Sequence, residues 1–259
     1  MRIMSYNLRM DTPHDGEMAW PHREPAVKWV WEEIDADIVG IQEGLPHQVA
    51  ALDAWFPRYA RVGRGRNADG SGECVAIYYK RDRWTLKETG DFWLSDTPEV
   101  PGSRTWGNNI PRIATWARLT DRDGVDWFIL NTHLDHQSEE ARVRGAEQIV
   151  RFLAERVQEA EHVVVTGDFN AQPDTEPMAR FLAAGLSDCL AASGEGTFHG
   201  YTGTPRARID YILAGEWVEC RAARVVMDKP FDLWPSDHFP IYADLVATRK
   251  SAAGVHPSV

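Results

Sequence analysis

Short apolar runs recur along the chain, and in many of them apolar and polar residues alternate. A period of two is typical of β-strands, because successive side chains point to opposite faces of a sheet. The pattern predicts strands at Arg2–Leu8, Asp37–Gln42, Glu73–Tyr79, Ile113–Thr120, Val125–His133, His162–Asp168, Arg208–Leu213 and Phe239–Val246. The sequence DRDG between the fourth and fifth of these has the composition of a turn, so we expect a hairpin there.

Other segments carry apolar residues at the spacing of three and four that produces an amphipathic helix. They predict helices at Pro25–Ile34, Ser138–Ala160 and Thr175–Ala184. Long polar or glycine-bearing loops are predicted over residues 63–72, 94–111 and 228–236, and loops of that length in a compact domain are usually functional or disordered. The mixture of strand-rich and helical stretches favours sheets covered by helices over an alternating barrel.

Composition is that of an ordinary globular protein, with 43% hydrophobic and 26% charged residues in a chain of 259. The sequence shows no apolar run long enough to span a membrane and no apolar segment of a signal peptide. The cysteines Cys74, Cys189 and Cys220 are widely spaced and form no CxxC pair. We therefore expect a cytoplasmic protein with reduced thiols.

Net charge bears on the choice of partner. Lys+Arg 28 and Asp+Glu 39 give a net charge of −11. Proteins that grip long nucleic acids usually present a basic face, because contacts to phosphates supply most of the non-specific affinity. Nucleic acid is thus a possible partner that the charge does not favour. Arg58, Arg61, Arg64 and Arg66 alternate along one segment and could still form a local phosphate-binding edge.

Oxygen-bearing and imidazole side chains recur where the predicted strands end. These positions are Asn7, Glu43, segments 131–135 and 167–170, Asp210 and segment 236–239. Each alone has an ordinary structural explanation, since Asn and Asp are common turn formers. Their joint occurrence indicates a site, because α/β scaffolds often place functional residues at strand ends. No thiolate or HxxxH pattern accompanies them, so zinc is disfavoured, whereas oxygen ligands suit Mg²⁺ or Mn²⁺.

The motifs SYN, IQE, NTHLDH, GDFN, RIDY and SDHFP follow one another between residues 5 and 240. In this order they resemble the endonuclease/exonuclease/phosphatase superfamily, which includes deoxyribonucleases, abasic-site endonucleases, inositol-polyphosphate phosphatases, sphingomyelinases and deadenylases. The resemblance implies an α/β fold with four layers, an α/β/β/α sandwich of two mixed sheets with helices outside. It also implies one catalytic domain over residues 1–247, and we expect residues 248–259 to form a flexible tail.

The resemblance further implies a divalent-metal site that binds Mg²⁺ or Mn²⁺. Glu43 resembles the principal metal ligand of the family and is assisted by Asn7. Asp237 resembles an additional carboxylate of the metal site. Such a metal would act as a Lewis acid on a phosphoester substrate.

Catalytic roles are implied in the same way. Asp168 resembles the residue that orients or deprotonates the attacking water, and Asn170 resembles a donor to a non-bridging phosphate oxygen. His238 resembles the imidazole that contacts the scissile phosphate, held by Asp210 in an Asp–His pair that would favour the cationic ring. His133 resembles a second residue that contacts the phosphate or the leaving group.

Outside the motifs, the candidates for substrate contact are weaker. Arg112 precedes a predicted strand at a place where a guanidinium could reach a phosphate. Trp93 and Trp106 border the 94–111 loop, which could act as a lid, although Trp93 is equally compatible with the core. His199 belongs to the segment TFHGY, which could form the wall of a specificity pocket. Arg23, before the first helix, is more consistent with a surface charge than with a substrate role.

Three functions stay open at this point. The first is a metal-dependent phosphodiesterase or phosphatase acting on a small or lipid-derived phosphoester, which the net charge favours. The second is an endonuclease or 3′-exonuclease. The third, a binding module without catalysis, is the weakest, because no catalytic-type position that we can match is replaced. The sequence identifies neither the substrate nor the oligomeric state.

Overall fold

The computed structural model describes residues 1–248, whose strands form two six-stranded sheets. The first sheet contains, in spatial order, β11 (Val218–Val225), β12 (Ile241–Ala247), β1 (Arg2–Asn7), β2 (Ile38–Gly44), β4 (Cys74–Lys80) and β3 (Tyr59–Gly65). The second contains β5 (Trp84–Trp93), β6 (Ile113–Asp121), β7 (Asp126–His133), β8 (His162–Asp168), β10 (Asp210–Ala214) and β9 (Ser187–Asp188). The helices are α1 (Trp20–Ile34), α2 (Pro46–Trp55), α3 (Glu139–Arg156) and α4 (Glu176–Ala183), with short 3₁₀ turns at Pro13–Met18 and Pro230–Asp232.

The alternation of side chains along the strands produces the layers. In β1, Ile3 belongs to the apolar core between the sheets, whereas Met4 and Tyr6 belong to the core shared with α1 and α2. In β7, Ile129 faces the other sheet and Phe128 packs in the core shared with α3 and α4. The result is a four-layered α/β/β/α sandwich of mixed sheets, which confirms the predicted fold.

Strand register brings the motif residues to one edge of the sandwich. β1 and β2 are parallel, with Asn7 opposite Gln42, the neighbour of Glu43. β7 and β8 are also parallel, with His133 opposite Asp168. β10 runs antiparallel to β8 and places Asp210 opposite Asp168. Side chains that are distant in sequence therefore emerge at the same place.

A buried polar bridge joins the two sheets behind this edge. Asn131 Nδ2 donates to the carbonyls of Ile41 (2.8 Å) and Ala76 (2.9 Å) in the opposite sheet. Its Oδ1 accepts from Gln42 Nε2 at 2.8 Å and from Thr166 Oγ1 at 3.0 Å. Each polar atom of the amide is thus satisfied, as burial requires. This bridge fixes the spacing of the sheets where the site lies.

Every predicted strand and helix is present, with ends shifted by a few residues. The pattern misses β3, β5, β9, β11 and α2. The four missed strands are the outer strands of the two sheets, and their solvent-facing polar residues weaken the apolar signal. Residues 249–259, nearly all of the predicted tail, lie outside the described residues. Within residues 1–248, no helix has the length and apolarity that a membrane crossing needs.

Candidate active site

A pocket of about 440 Å³ opens at the edge where the motif residues converge. Its walls include the predicted residues Glu43, Arg112, His133, Asp168, Asn170, Asp237 and His238. Phe198, from the segment TFHGY that was expected to form a pocket wall, also lines it, as do residues that the sequence did not single out for chemistry, notably Arg9, Glu73 and His136. Asn7 and Asp210 lie directly behind the wall, where they hydrogen-bond to side chains that form it.

Asn7 ties the central carboxylates together. Its Nδ2 donates to Glu43 Oε1 at 3.0 Å and to Asp168 Oδ2 at 2.9 Å, while its Oδ1 accepts from the backbone N–H of Arg9. Glu43 also accepts from the backbone N–H of Met10 at 3.0 Å. Glu43 has a left-handed backbone with φ of 62°, a conformation that a non-glycine residue keeps only when its surroundings enforce it. The carboxylate is therefore held in one direction.

Two groups of side chains in this pocket have the geometry of a cation site. Glu43, Asp168 and His238 form one, and Glu43, Glu73 and His133 form the other. In each group the ligand atoms lie within 4.8 Å of one another. Glu43 is shared by both groups. Asp237, predicted as a metal-site carboxylate, lines the pocket without belonging to either group among the described residues.

His238 is held as a cation by its acidic neighbours. Its Nδ1 lies 2.9 Å from Asp210 Oδ2, and its Nε2 lies 3.8 Å from Asp168 Oδ2. Burial alone would lower the pKa of His238, but Asp210 and then Asp168 raise it well above its ordinary value. The Asp–His pair predicted from the motifs is present.

The surroundings of His133 have the opposite effect and favour its neutral form. Burial and then the neighbouring Arg112 guanidinium lower the pKa of His133 well below its ordinary value. Its Nε2 lies 3.5 Å from Asp168 Oδ2, and its Nδ1 lies 4.0 Å from Glu73 Oε2. The surroundings thus favour the cationic form of His238 and the neutral form of His133, on either side of the Asp168 carboxylate.

The pKa values of the carboxylates reflect burial first and neighbouring charges second. Burial and then Asp210 raise the pKa of Asp168 to about 7. Burial raises the pKa of Asp237, and burial followed by Glu43 raises the pKa of Glu73. For Glu43, burial is outweighed by His238 and then Asn7, so that its pKa is lowered. Of these four carboxylates, the one with a lowered pKa is therefore Glu43, which is common to both candidate cation groups.

Arg112 lies beside this cluster and is only 3% exposed. Its Nε lies 3.4 Å from Asp135 Oδ2, and its Nη2 lies 2.8 Å from His136 Nδ1. Within residues 1–248, its buried Nη1 has no hydrogen-bond partner. An unmatched guanidinium nitrogen in the wall of a pocket is suited to an anionic ligand or an ordered water.

The structure does not bring Trp93, Trp106 and His199 to the walls of this pocket. The Nε1 of Trp93 donates to the carbonyl of Arg66 at 2.7 Å, and that of Trp106 donates to Asp96 Oδ1 at 2.8 Å. His199 is fully buried and stacks on Phe239 with 4.0 Å between ring centroids. These side chains support loops around the site, and their contact with substrate stays a prediction.

The sequence carried only faint signals for the additional residues. His136 is the last residue of the motif NTHLDH, Arg66 lies within the 63–72 loop, and Glu73 directly follows that loop. Arg66 and Glu73 form a buried bidentate pair with Nη1–Oε2 at 2.6 Å. Arg9 is paired with Asp15 at 2.8 Å and lies 3.8 Å from Asp237 Oδ2. The expectation that Arg23 is a surface charge is wrong, because its side chain is fully buried.

Solved structures of other proteins share this architecture over nearly the whole chain. A mannosyl-6-phosphatase of Bacteroides thetaiotaomicron is 30% identical, with a TM-score of 0.88 and 95% of this chain and 99% of that chain covered. An endonuclease/exonuclease/phosphatase of Bacteroides vulgatus is 32% identical, with a TM-score of 0.89 and with 95% of this chain and 98% of that chain covered. The human Nocturnin catalytic domain shares the fold at 20% identity, with a TM-score of 0.77 and coverage of 96% and 93%.

Comparisons of the sequence alone find a curated relative and a protein family. An uncharacterized protein of Acanthamoeba polyphaga mimivirus is 26% identical over 151 residues, which cover 51% of this chain and 21% of that protein. This chain therefore matches about a fifth of the length of that curated relative. The model of the Endonuclease/Exonuclease/phosphatase family matches residues 4–238, a range that includes all the side chains of the pocket described above. The chain thus belongs to the endonuclease/exonuclease/phosphatase family.

Proposed function

We propose that this protein is a divalent-metal-dependent hydrolase of small phosphoesters, with phosphomonoesters as its main substrates. The observation that carries the proposal is the buried cluster of Glu43, Asp168 and His238, with Asp210 behind the imidazole. The 30% identity to a mannosyl-6-phosphatase over nearly the full length of both chains favours a phosphorylated sugar or a similar small monoester.

The donor set fits Mg²⁺ or Mn²⁺. Carboxylates and imidazoles are suitable ligands, and Glu43, with the lowered pKa, would be the main one. A divalent cation would also offset the burial and then the repulsion from Asp210 that together raise the pKa of Asp168 to about 7. When bound, it would supply charge to the phosphate oxygens as a Lewis acid. Glu73 and His133 would complete one candidate group around Glu43, and Asp168 would complete the other, in which a protonated His238 has no lone pair for the metal and acts as a hydrogen-bond donor.

The protein's own side chains supply the rest of the chemistry. Asp168, with a pKa of about 7, can hold or accept the proton of an attacking water near neutral pH. The cationic His238 can donate a hydrogen bond to a phosphate oxygen as negative charge develops there. Asn170 and the unmatched Nη1 of Arg112 are further donors close to the same place.

The distribution of charge supports a small substrate. The arginines that could have formed a basic edge mostly have acidic partners: Arg58 pairs with Asp35, Arg61 with Asp53 and Arg66 with Glu73. Arg64 instead lies over the Trp93 ring at 5.5 Å. Paired arginines offer a polyanion little net attraction, and the overall charge of −11 opposes it.

The test is hydrolysis of a panel of substrates, followed by release of phosphate from hexose 6-phosphates and p-nitrophenyl phosphate, by release of p-nitrophenol from bis-p-nitrophenyl phosphate, and by gel electrophoresis for a single-stranded oligonucleotide. We expect monoester hydrolysis with Mg²⁺ or Mn²⁺, its loss in EDTA and its recovery when metal is restored. Full activity in excess chelator would contradict metal dependence. Cleavage of the oligonucleotide without any monoester hydrolysis would replace this proposal with the nuclease alternative.

A further inference from the structure

Arg23, in the first turn of α1, is a fully buried cation surrounded by backbone carbonyls. Its Nε donates to the carbonyl of Met18 at 3.0 Å. Its Nη1 donates to the carbonyls of Leu8 at 2.6 Å and Pro235 at 2.7 Å, and its Nη2 donates to that of Arg9. Burial of a charge is costly unless hydrogen bonds compensate it. These hydrogen bonds to four backbone carbonyls are ones that an apolar side chain could not form.

The acceptors belong to loops that frame one side of the pocket. Leu8 and Arg9 follow directly after Asn7, which orients Glu43 and Asp168. Pro235 comes two residues before Asp237 and three before His238. Arg23 Nη1 therefore joins the segment that follows β1 to a second segment, whose Pro235 lies 212 residues after Arg23 in the sequence. A displacement of either segment would change the distance between the groups that they carry.

The conformation of Arg9 shows how tightly this side is held. Its backbone is left-handed with φ of 55°, its N–H donates to Asn7 Oδ1, and its carbonyl accepts from Arg23 and from Gln48 Nε2 at 2.9 Å. Its side chain is paired with Asp15 and lies 3.8 Å from Asp237. A left-handed non-glycine residue persists only where surrounding contacts enforce it. Arg23 supplies one of these contacts.

We propose that Arg23 is a positioning residue of the active site, which sets the distance between the β1 end with Arg9 and the segment that carries Asp237 and His238. The proposal rests on the function proposed above. A planar guanidinium can reach several separated carbonyls at once, whereas the ammonium of lysine is a single point that can reach fewer of them. The site then requires the planar geometry of the guanidinium and not its positive charge alone.

The experiment compares Arg23→Lys and Arg23→Met with the wild type. Arg118→Met is the matched control, because Arg118 is a largely buried arginine on β6 that pairs with Glu88 and Glu161 and does not line the pocket. The measurements are kcat and KM for the best monoester, the Kd for Mn²⁺ by electron paramagnetic resonance, and the melting temperature. Hydrogen exchange of peptides covering 8–18 and 230–238 reports on the two segments directly.

We expect Arg23→Lys to lower kcat on the order of 10²-fold and to weaken Mn²⁺ binding about tenfold, because small misplacements in a site have such effects. Exchange should accelerate in both segments and not elsewhere. Arg118→Met should lower the melting temperature while kcat and the Kd for Mn²⁺ stay near wild type.

The proposal would be overturned if Arg23→Lys kept the kcat, the Mn²⁺ affinity and the hydrogen exchange of the wild type. It would also be overturned if Arg118→Met, at the same melting temperature, lost as much kcat and Mn²⁺ affinity as Arg23→Lys. If Arg23→Met does not fold, the comparison of Arg23→Lys with the wild type decides whether the proposal holds. If the wild type neither binds Mn²⁺ nor hydrolyses any monoester, the proposed function fails. The exchange data then still decide whether Arg23 holds the two segments together.

Discussion

The Asp210–His238 pair provides the sharpest mutational prediction. Asp210 is 2% exposed, and its Oδ2 lies 2.9 Å from His238 Nδ1. Its backbone N–H is held by the hydroxyl of Thr197 at 3.0 Å, so that Asp210→Asn changes the charge without releasing the strand. A buried hydrogen bond to a charged group is worth about 1.5–3 kcal/mol. If that energy is lost from the transition state, kcat falls between about ten- and 10²-fold.

The pH dependence gives a second signature of the same change. The Asp210 carboxylate raises the pKa of His238, so its removal lowers that pKa, and the ring loses its proton at a lower pH. The alkaline side of the kcat profile should therefore move to lower pH in Asp210→Asn. Phosphate release measured across pH, with the melting temperature as a check on folding, gives both quantities.

The control for this variant is Asp188→Asn. Asp188 lies in β9 beside β10 and forms a comparably buried pair with Arg208 at 2.5 Å, but it does not line the pocket. This substitution should lower the melting temperature and leave kcat unchanged. Wild-type kcat at every pH in Asp210→Asn would refute the reasoning, and so would an equal loss of kcat in both variants.

Three further predictions follow from the site and the core. Glu43→Gln should raise the Kd for Mn²⁺ by at least about tenfold, because it removes the carboxylate common to both cation groups, and calorimetry showing wild-type affinity would exclude the assigned ligand. Replacement of all three cysteines by alanine should keep kcat within a few-fold, since burial raises the pKa of Cys74 to about 12 and no cysteine lines the pocket; an inactive but folded variant would contradict this. Asn131→Ala should destabilise the protein by roughly 2–5 kcal/mol in urea unfolding, because it leaves the buried carbonyls of Ile41 and Ala76 in the opposite sheet without this donor; a change below 1 kcal/mol would argue against the bridge between the sheets.

The fold could be predicted to the extent that strands are buried. The central strands of both sheets carry continuous or alternating apolar residues and were all predicted. Edge strands such as β3 and β5 expose one side and carry charged residues, so their pattern is close to that of a loop. The helix α2 begins at Pro46, and a proline after a strand indicates a loop as readily as a helix, although it is also favoured in the first turn of a helix.

The residues of the site likewise comprise some that the sequence predicts and others that it does not. Glu43, Asp168 and His238 were predicted because each follows or precedes a recognisable strand, and parallel pairing brings such ends together. The role of Arg23 depends on a carbonyl 212 residues away, and a charged residue in an amphipathic helix is usually solvated. Local patterns hold no information on such long-range contacts between loops.

The most direct test of the central proposal is kcat/KM for a hexose 6-phosphate and for a single-stranded oligonucleotide, each measured with Mg²⁺ at about 50 mM and 200 mM salt. We predict efficient, metal-dependent hydrolysis of the monoester with little response to salt, because a single phosphate would be bound in a pocket of about 440 Å³. We also predict weak or absent cleavage of the oligonucleotide, since the net charge of −11 repels a polyanion. Efficient oligonucleotide cleavage that falls steeply with salt, with no monoester hydrolysis, would contradict it.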